Sequence, residues 1–426
     1  MATVTSSRPY HVIIFGASGF SGQFVVEEVA RYAAETPGGG RVKWAVAGRS
    51  RQRLEDVLKR AAGRLSMPEL RTDIEIIVAD VSIEESLALM CQQGLVILNC
   101  VGPYRFYGEP VVKACIANGA HYIDICGEPQ FLERMQLEYH TKALDKGVYV
   151  IGSCGFDSIP ADLGILYTQR QFKGTLTAVE SFLQITSGPE GSSGHDATWQ
   201  SAVYGFADSK SLSQLRKKFG HRPLPVVGAK VKQRGFLFFS KEIEQYTIPF
   251  MGSDRSVVRR SQHYLYEEEQ QSPVQYSPYV GIGGLFSVVK LLCGGVLFWF
   301  LVKFSLGRKL LTTFPSLFSC GLFSKSGPTM KQIEDTCISM TFYGEGYSEG
   351  SDPTQGRPNT KICTQVTGAD GYLITASAMV QAAVTLLNEL HSLPRRGGVY
   401  SPGAAFFKTS LIERLSNHNL KFSVKN

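Results

Sequence analysis

The chain has 426 residues, 43% of them hydrophobic and 19% charged, with a formal charge of +7 and a pI of about 8.8. That is enough apolar material for a sizeable core, which argues against disorder and points to two or three domains. The basic excess is mild and no basic recognition motif accompanies it, so no nucleic acid is expected as a partner. Nine cysteines without zinc-ligand spacing point to reduced thiols in a cytosol-like compartment and to no metal. His11 already opens a strand, so no signal peptide is expected, and Met1-Ala2 predicts methionine removal with acetylation of Ala2.

Val12-Ile13-Ile14-Phe15 is an apolar run suited to a fully buried parallel strand. Gly16-Ala17-Ser18-Gly19-Phe20-Ser21-Gly22 follows in the spacing G-x-x-G-x-x-G, and Phe24, Val25, Glu27, Glu28 and Val29 read as a helix. A phosphate needs such a turn, because a side chain would block the approach of the backbone. It also needs the free N–H groups at a helix start, which carry partial positive charge. Gly16, Ala17, Ser18, Gly19, Phe20 and Gly22 are therefore the expected dinucleotide cradle; the alternative is a tight packing turn. Lys43 to Gly48 reads as the second strand. An NAD site would place an acid at its end, whereas this chain has Gly48-Arg49-Ser50-Arg51-Gln52-Arg53. Arg49, with Ser50 beside it, suits a 2′-phosphate and an adenine face, so NADP is the expected cofactor.

The rhythm continues with strands at 74–81, 95–100, 123–124 and 147–152 and a helix over Pro110 to Asn118. Strands alternating with helices predict an α/β fold with a doubly wound parallel sheet, and ligands bind beyond the carboxyl ends of such strands. That gathers Gly16 to Gly22, Arg49, Asp80 and Val81 beside the adenine, and the loop Val101-Gly102-Pro103-Tyr104 around one crevice. Tyr104, Tyr107, Cys126, Asp157 and His195 are the candidate proton donors. Asp157 reads first as a helix cap before Pro160, and His195 follows a glycine- and serine-rich loop that is either a lid over a site or a plain surface loop. No catalytic residue is assigned.

From about residue 175 the texture changes. "TAVESFLQI", "GFLFFSKEIEQYTIPF" and "TKICTQVTG" read as longer strands, so the second domain is expected to be α+β, on a mostly antiparallel sheet. Gly371 to Leu390 reads as a helix packing back on the first domain. The expected division is 1–165 plus 366–426 for the dinucleotide domain and 166–365 for the second. Residues 279–302, "YVGIGGLFSVVKLLCGGVLFWFLV", are long enough to cross a bilayer, but Lys290 lies near the centre and paired glycines at 283–284 and 294–295 weaken one straight helix. A hairpin or a helix lying in one leaflet is expected, followed by Lys303, Arg308 and Lys309 facing lipid phosphates. A core helix and a homodimer contact are the other readings.

"GASGFSG", "AGRS", "NCVGPYRFYGEPVVKAC", "YIDICGE" and "GFDSIPADLG" together resemble the saccharopine dehydrogenase family, above all its vertebrate branch of saccharopine dehydrogenase-like oxidoreductases. Bacterial trans-acting enoyl reductases are similar in the same segments. The resemblance is dense over residues 10–165 and returns near the C-terminus. It implies a Rossmann domain, an antiparallel second domain, and dinucleotide contacts from the glycine loop, Arg49 and the Gly102-Pro103-Tyr104 loop. The basic groups that a substrate with several carboxylates demands do not fall on matching positions. The expected function is hydride transfer from NADP(H) to a small-molecule or lipid-like substrate at the cytoplasmic face of membranes or lipid droplets. A non-catalytic nucleotide-binding scaffold and an amino-acid dehydrogenase of saccharopine type are the alternatives.

Overall fold

A computed structural model describes residues 8–35, 42–220 and 223–425. The expectations at Met1 and Ala2 lie outside the described residues.

The first half alternates strand and helix. Its strands are β1 (Tyr10–Phe15), β2 (Trp44–Gly48), β3 (Glu75–Val78), β4 (Gly94–Asn99), β5 (His121–Asp124) and β6 (Tyr149–Ile151). Its helices are α1 (Phe20–Glu35), α2 (Arg51–Leu65), α3 (Glu84–Gln93), α4 (Tyr104–Asn118), α5 (Pro129–Lys146) and α6 (Ile159–Gln171). β1, β2 and β4 to β6 are almost wholly inaccessible, as their unbroken apolar runs demand of strands covered on both faces. Every pairing in this sheet is parallel. The helix expected from Pro110 instead begins at Tyr104, with Pro110 inside it. Phe106 and Tyr107 already donate to the Pro103 carbonyl, so the first turn closes six residues ahead of the proline.

The second half contributes β7 (Thr175–Thr186), β8 (Gly194–His195), β9 (Phe238–Ser240), β10 (Gln245–Pro249), β11 (Gln275–Gly283), β12 (Phe323–Ser324), β13 (Cys337–Tyr347) and β14 (Thr360–Gly368). Its helices are α7 (Asp196–Ala207), α8 (Ser209–Phe219), α9 (Asp254–Glu269), α10 (Leu285–Val302), α11 (Ser305–Thr313), α12 (Pro315–Phe318) and α13 (Met330–Glu334). The chain then forms α14 (Gly371–Asn388), β15 (Gly398–Tyr400) and β16 (Leu420–Val424). The first sheet runs β15-β6-β5-β4-β1-β2-β3 and the second β16-β14-β13-β7-β11-β10-β9. The second sheet is mixed: β7 pairs antiparallel with β13 but parallel with β11. Its remaining neighbours are antiparallel. α6 lies across this sheet, where Thr168 and Thr364 hydroxyls meet at 2.6 Å.

The chain crosses between the sheets more often than the expected division allows. β14 runs through residue 366, and β16 returns to pair with it, so both ends of the stretch assigned to the dinucleotide domain belong to the second sheet. Between them, α14 does pack on α1, with Ser377 donating to Glu28 at 2.8 Å in the buried seam.

The apolar stretch 279–302 is two elements. Residues 279–283 are the end of β11, with Tyr279 buried and paired to Phe182 and Pro249. α10 then runs unbroken through Gly294 and Gly295, about 27 Å long. Its mean hydropathy is 2.2, yet most of it stands free of the protein, in contrast to the mostly buried α14. Phe286 is 72% exposed and Leu317, in α12, 71%. The core reading of this helix is thereby excluded. It is held at Val288, buried in its first half, and at its carboxyl-terminal half, where Val302 is buried and Phe298 packs against Trp199 and Phe206 of α7.

Candidate functional site

The order of the first sheet reverses direction between β1 and β4, and the glycine turn sits at that switch point, where open α/β sheets bind ligands. Gly16 carries φ +84°, and a Cβ there would meet Val101 Cγ2 at 2.8 Å. A Cβ on Gly22 would lie 2.3 Å from the Gly16 carbonyl oxygen, so the turn and the first coil of α1 are in backbone contact. Gly19 faces outward, and its Cβ would meet only that carbonyl, at 3.1 Å. Ala17 is sealed beneath and Ser18 is half-buried. The result is a backbone cradle over a helix start, closed to a side chain at Gly16 and Gly22 and bare at Gly19, which fits a pyrophosphate.

Arg49 is exposed just past β2, beside Asp80 past β3. The Asp80 carboxyl is held below its usual range first by the Ser82 N–H and hydroxyl, with Arg49 adding a smaller pull. Asp80 is therefore committed to its own loop, and Arg49 remains available to a phosphate. Ser50 accepts from the Arg53 N–H and caps α2, so its hydroxyl has a structural task that the sequence reading did not foresee. Val81 is half-buried against the core of the first sheet.

Val101 stands past the end of β4 against Gly16, and Gly102 follows it beside the Tyr104 ring. Tyr104 does not join them. Its ring is buried against Phe131 and its hydroxyl donates to the Asn99 carbonyl at 2.8 Å, which removes it as a proton donor and as a side-chain contact to a dinucleotide. Cys126 is likewise sealed, and burial pushes its thiol far up. Tyr107 is exposed beside Phe106. The ends of β4, β5 and β6 are instead fixed by a polar chain that sequence reasoning missed. Asn99 donates to Tyr122, Tyr122 donates to Asp124, and Asp124 accepts from the Cys126 and Ser153 amides.

Two of the proton-donor candidates do reach the crevice. Asp157, beyond β6, presses on Gly127 beyond β5, where a Cβ would meet its Oδ2 at 3.0 Å. Its half-buried carboxyl is not the cap of α6, and burial lifts it to about 6. His195 stacks on Phe20, the first residue of α1, at 4.8 Å, while Tyr372 meets the same ring edge-on at 4.8 Å. The His195 amide donates to the Tyr372 hydroxyl at 2.7 Å and its Nδ1 accepts from Ala197, so the imidazole is pinned as the cap of α7. Phe20, His195 and Tyr372 thus roof the cradle. The signal for Tyr372 was the recurrence of family-like sequence at "GADGYLI", which carried no chemical pattern of its own.

Behind Asp157 lie further buried carboxyls. Asp254 opens α9, is 2% exposed, and has an Oδ1 without a partner among the described residues. Burial, then the charge of Asp157, lift it to about 8. Asp124 and Asp162 are lifted to about 6, chiefly by burial. Each binds a proton more tightly folded than unfolded, so the stability these three groups contribute is fully present below about pH 4 and is lost as pH rises toward 8. Asp254→Asn is expected to melt like the parent near pH 4 and to be more stable at pH 8.5, by a few kcal/mol on the scale of about 1.4 per pKa unit. Thermal melts across that range check it; parallel curves for both proteins would contradict the assignment.

A cavity of about 370 Å³ opens elsewhere, between α5, α8, α9 and β15, and includes Arg216, Arg259, Arg260 and Arg395. Arg216 and Arg395 are already paired with Glu133 and Glu268. It takes no residue from the glycine turn.

Three comparisons bear on this geometry. The profile of the saccharopine dehydrogenase NADP binding domain matches residues 12–151. The human protein named saccharopine dehydrogenase-like oxidoreductase is 57% identical over 99% of this chain and 98% of its own length. A Caenorhabditis elegans relative named lipid droplet localized protein is 35% identical, with 98% of each chain covered. Among solved structures, the glutamate-forming saccharopine dehydrogenase of Saccharomyces cerevisiae superposes with a TM-score of 0.56 at 14% identity, over 98% of this chain and 100% of that one, which speaks for the fold. A backbone cradle at the switch point, an arginine where NAD would require an acid, and near full-length identity converge: the chain belongs to the saccharopine dehydrogenase-like oxidoreductases, and its first domain is the NADP-binding domain of that family.

Proposed function

We propose that the protein is an NADP-dependent oxidoreductase that reduces a lipid-like or other apolar substrate at a lipid surface, on the cytoplasmic face of membranes or on lipid droplets. The observation that carries this reading is the pairing of an open backbone cradle with a long apolar helix left bare, the two joined by α7. In it, Gly16 to Gly22 and the start of α1 hold the pyrophosphate, and Arg49 holds the 2′-phosphate. When bound, the reduced dinucleotide supplies a hydride. The chain's own task is to exclude water beneath Phe20, His195 and Tyr372, and to hold a proton on the Asp157 carboxyl, whose lifted pKa keeps it partly protonated near neutrality. The lipid-droplet name of the nematode relative agrees with the surface.

Two other readings each have one supporting feature. The pinning of Tyr104, Cys126 and His195 by structural bonds favours a nucleotide-binding scaffold. The arginine-lined cavity by α9 favours an acidic, amino-acid-like substrate, although half of its guanidinium groups are already paired.

Cofactor choice tests the first reading. Removing one charge-assisted contact costs about 1.5–3 kcal/mol, so Arg49→Ala is expected to weaken NADPH roughly ten- to a hundredfold and leave NADH unchanged. Fluorescence titration of both cofactors decides it; a parent protein that prefers NADH would remove the proposal.

A further inference from the structure

Residues 270–333 contain no aspartate or glutamate, but they carry Lys290, Lys303, Arg308, Lys309, Lys325 and Lys331. Among the described residues, only Lys331 of these is drawn into an ion pair, with Glu190 at 2.9 Å. Lys290 and Lys303 lie over the Phe286 and Trp299 rings, so cations stand beside the apolar side chains that α10 leaves bare. An apolar face rimmed by unopposed positive charge is complementary to acyl chains beneath anionic headgroups, and less so to a neutral lipid surface or to a second copy of the same basic face.

The same unit is joined to the crevice by one helix. On its outer side, α7 receives Phe298 against Trp199 at 5.3 Å and against Phe206 at 5.4 Å, and Trp199 Nε1 donates to the Leu311 carbonyl at 2.9 Å. At its inner end, His195 stacks on Phe20 and bonds Tyr372. The chain leaving α12 comes back to the same place: β12 pairs with β8, and Gly327 packs so closely on Phe20 that a Cβ would lie 2.5 Å from the ring. α7 therefore touches α10 and α11 on one side and the roof of the glycine turn at its start.

We propose that the α10 to α12 unit docks on an anionic phospholipid surface, and that this docking and dinucleotide binding strengthen each other through α7. The inference rests on the NADP and lipid-surface reading above, and linkage makes the effect reciprocal. The test uses the full chain with vesicles of phosphatidylcholine alone or with added phosphatidylserine, and NADPH followed by its fluorescence. Phosphatidylserine vesicles are expected to bind more tightly, and Lys303→Gln with Lys309→Gln to weaken that binding by roughly fivefold per charge. NADPH is expected to bind severalfold more tightly when these vesicles are present, and to tighten vesicle binding by the same factor. Trp199→Phe with Phe298→Leu, which loosens α7 from α10 and α11, is expected to keep both separate affinities and lose the mutual effect. Equal binding to the two vesicle types overturns the anionic surface. An NADPH affinity indifferent to bound vesicles overturns the linkage while leaving the NADP reading intact, and a protein that binds no NADPH overturns both.

Discussion

Gly19→Ala is expected to lose NADPH binding by about a hundredfold or more, some 2.7 kcal/mol, while melting within a few degrees of the parent. Gly19 is the one glycine of the turn that faces outward, and its backbone is not in a left-handed conformation. A methyl group there meets only the Gly16 carbonyl, at 3.1 Å, which a displacement of a few tenths of an ångström relieves. The same methyl stands where the backbone must come closest to a pyrophosphate, and there nothing can give way. Gly22→Ala is the contrast: its Cβ would lie 2.3 Å from that carbonyl inside the fold, so the turn itself must rearrange and the protein is expected to unfold. Melting curves and cofactor titration of the two variants separate holding a ligand from holding the chain. A Gly19→Ala protein that melts and binds like its parent would refute the phosphate cradle.

The first sheet could be read from the sequence because each of its strands is an apolar run between a turn and a helix, and parallel strands buried on both faces leave that trace. Gly16, Gly22 and Arg49 were legible for a related reason: the local backbone and the charge at one strand end carry the chemistry. Tyr104 was misplaced because proline at 110 suggested a helix start, when the turn had already closed on the Pro103 carbonyl. The roof was legible only in part, since Phe20 and His195 were candidates on separate segments and Tyr372 was not. Phe20, His195 and Tyr372 lie far apart in sequence and meet through α14 and the β8–β12 pair, contacts with no periodicity to announce them. The acids around Asp254 were missed likewise, since burial, the cause of their lifted pKa, comes from α6, α9 and the second sheet together. The parallel β7–β11 pair escaped because strand texture alone does not fix direction.

The second large effect concerns α10, and its form follows from where β11 ends. Phe286, Val296, Trp299 and Phe300 all stand mostly free of the protein. Replacing the four with glutamine keeps a residue suited to helices and removes no buried contact, so the fold and NADPH binding are expected to survive. Burying a large apolar side chain fully is worth about 1.5–3 kcal/mol. Because the four are partly shielded already, about half of that sum, on the order of 4 kcal/mol, is at stake, or roughly a thousandfold in partition between lipid and water. The parent is expected to sediment with membranes or float with lipid droplets, and the variant to appear in the soluble fraction. Deleting 279–302 outright is expected to fail differently. It removes Tyr279 to Gly283 from β11, which pairs with Phe182 and Leu183 of β7 on one side and with β10 on the other, so the second sheet is cut and the protein aggregates. A four-glutamine variant that stays with the membrane would show that α10 is not the anchor. A parent recovered wholly in the soluble fraction would leave an oxidoreductase with an exposed apolar helix and no lipid surface to cover it, and the hypothesis of action at such a surface would fall with it.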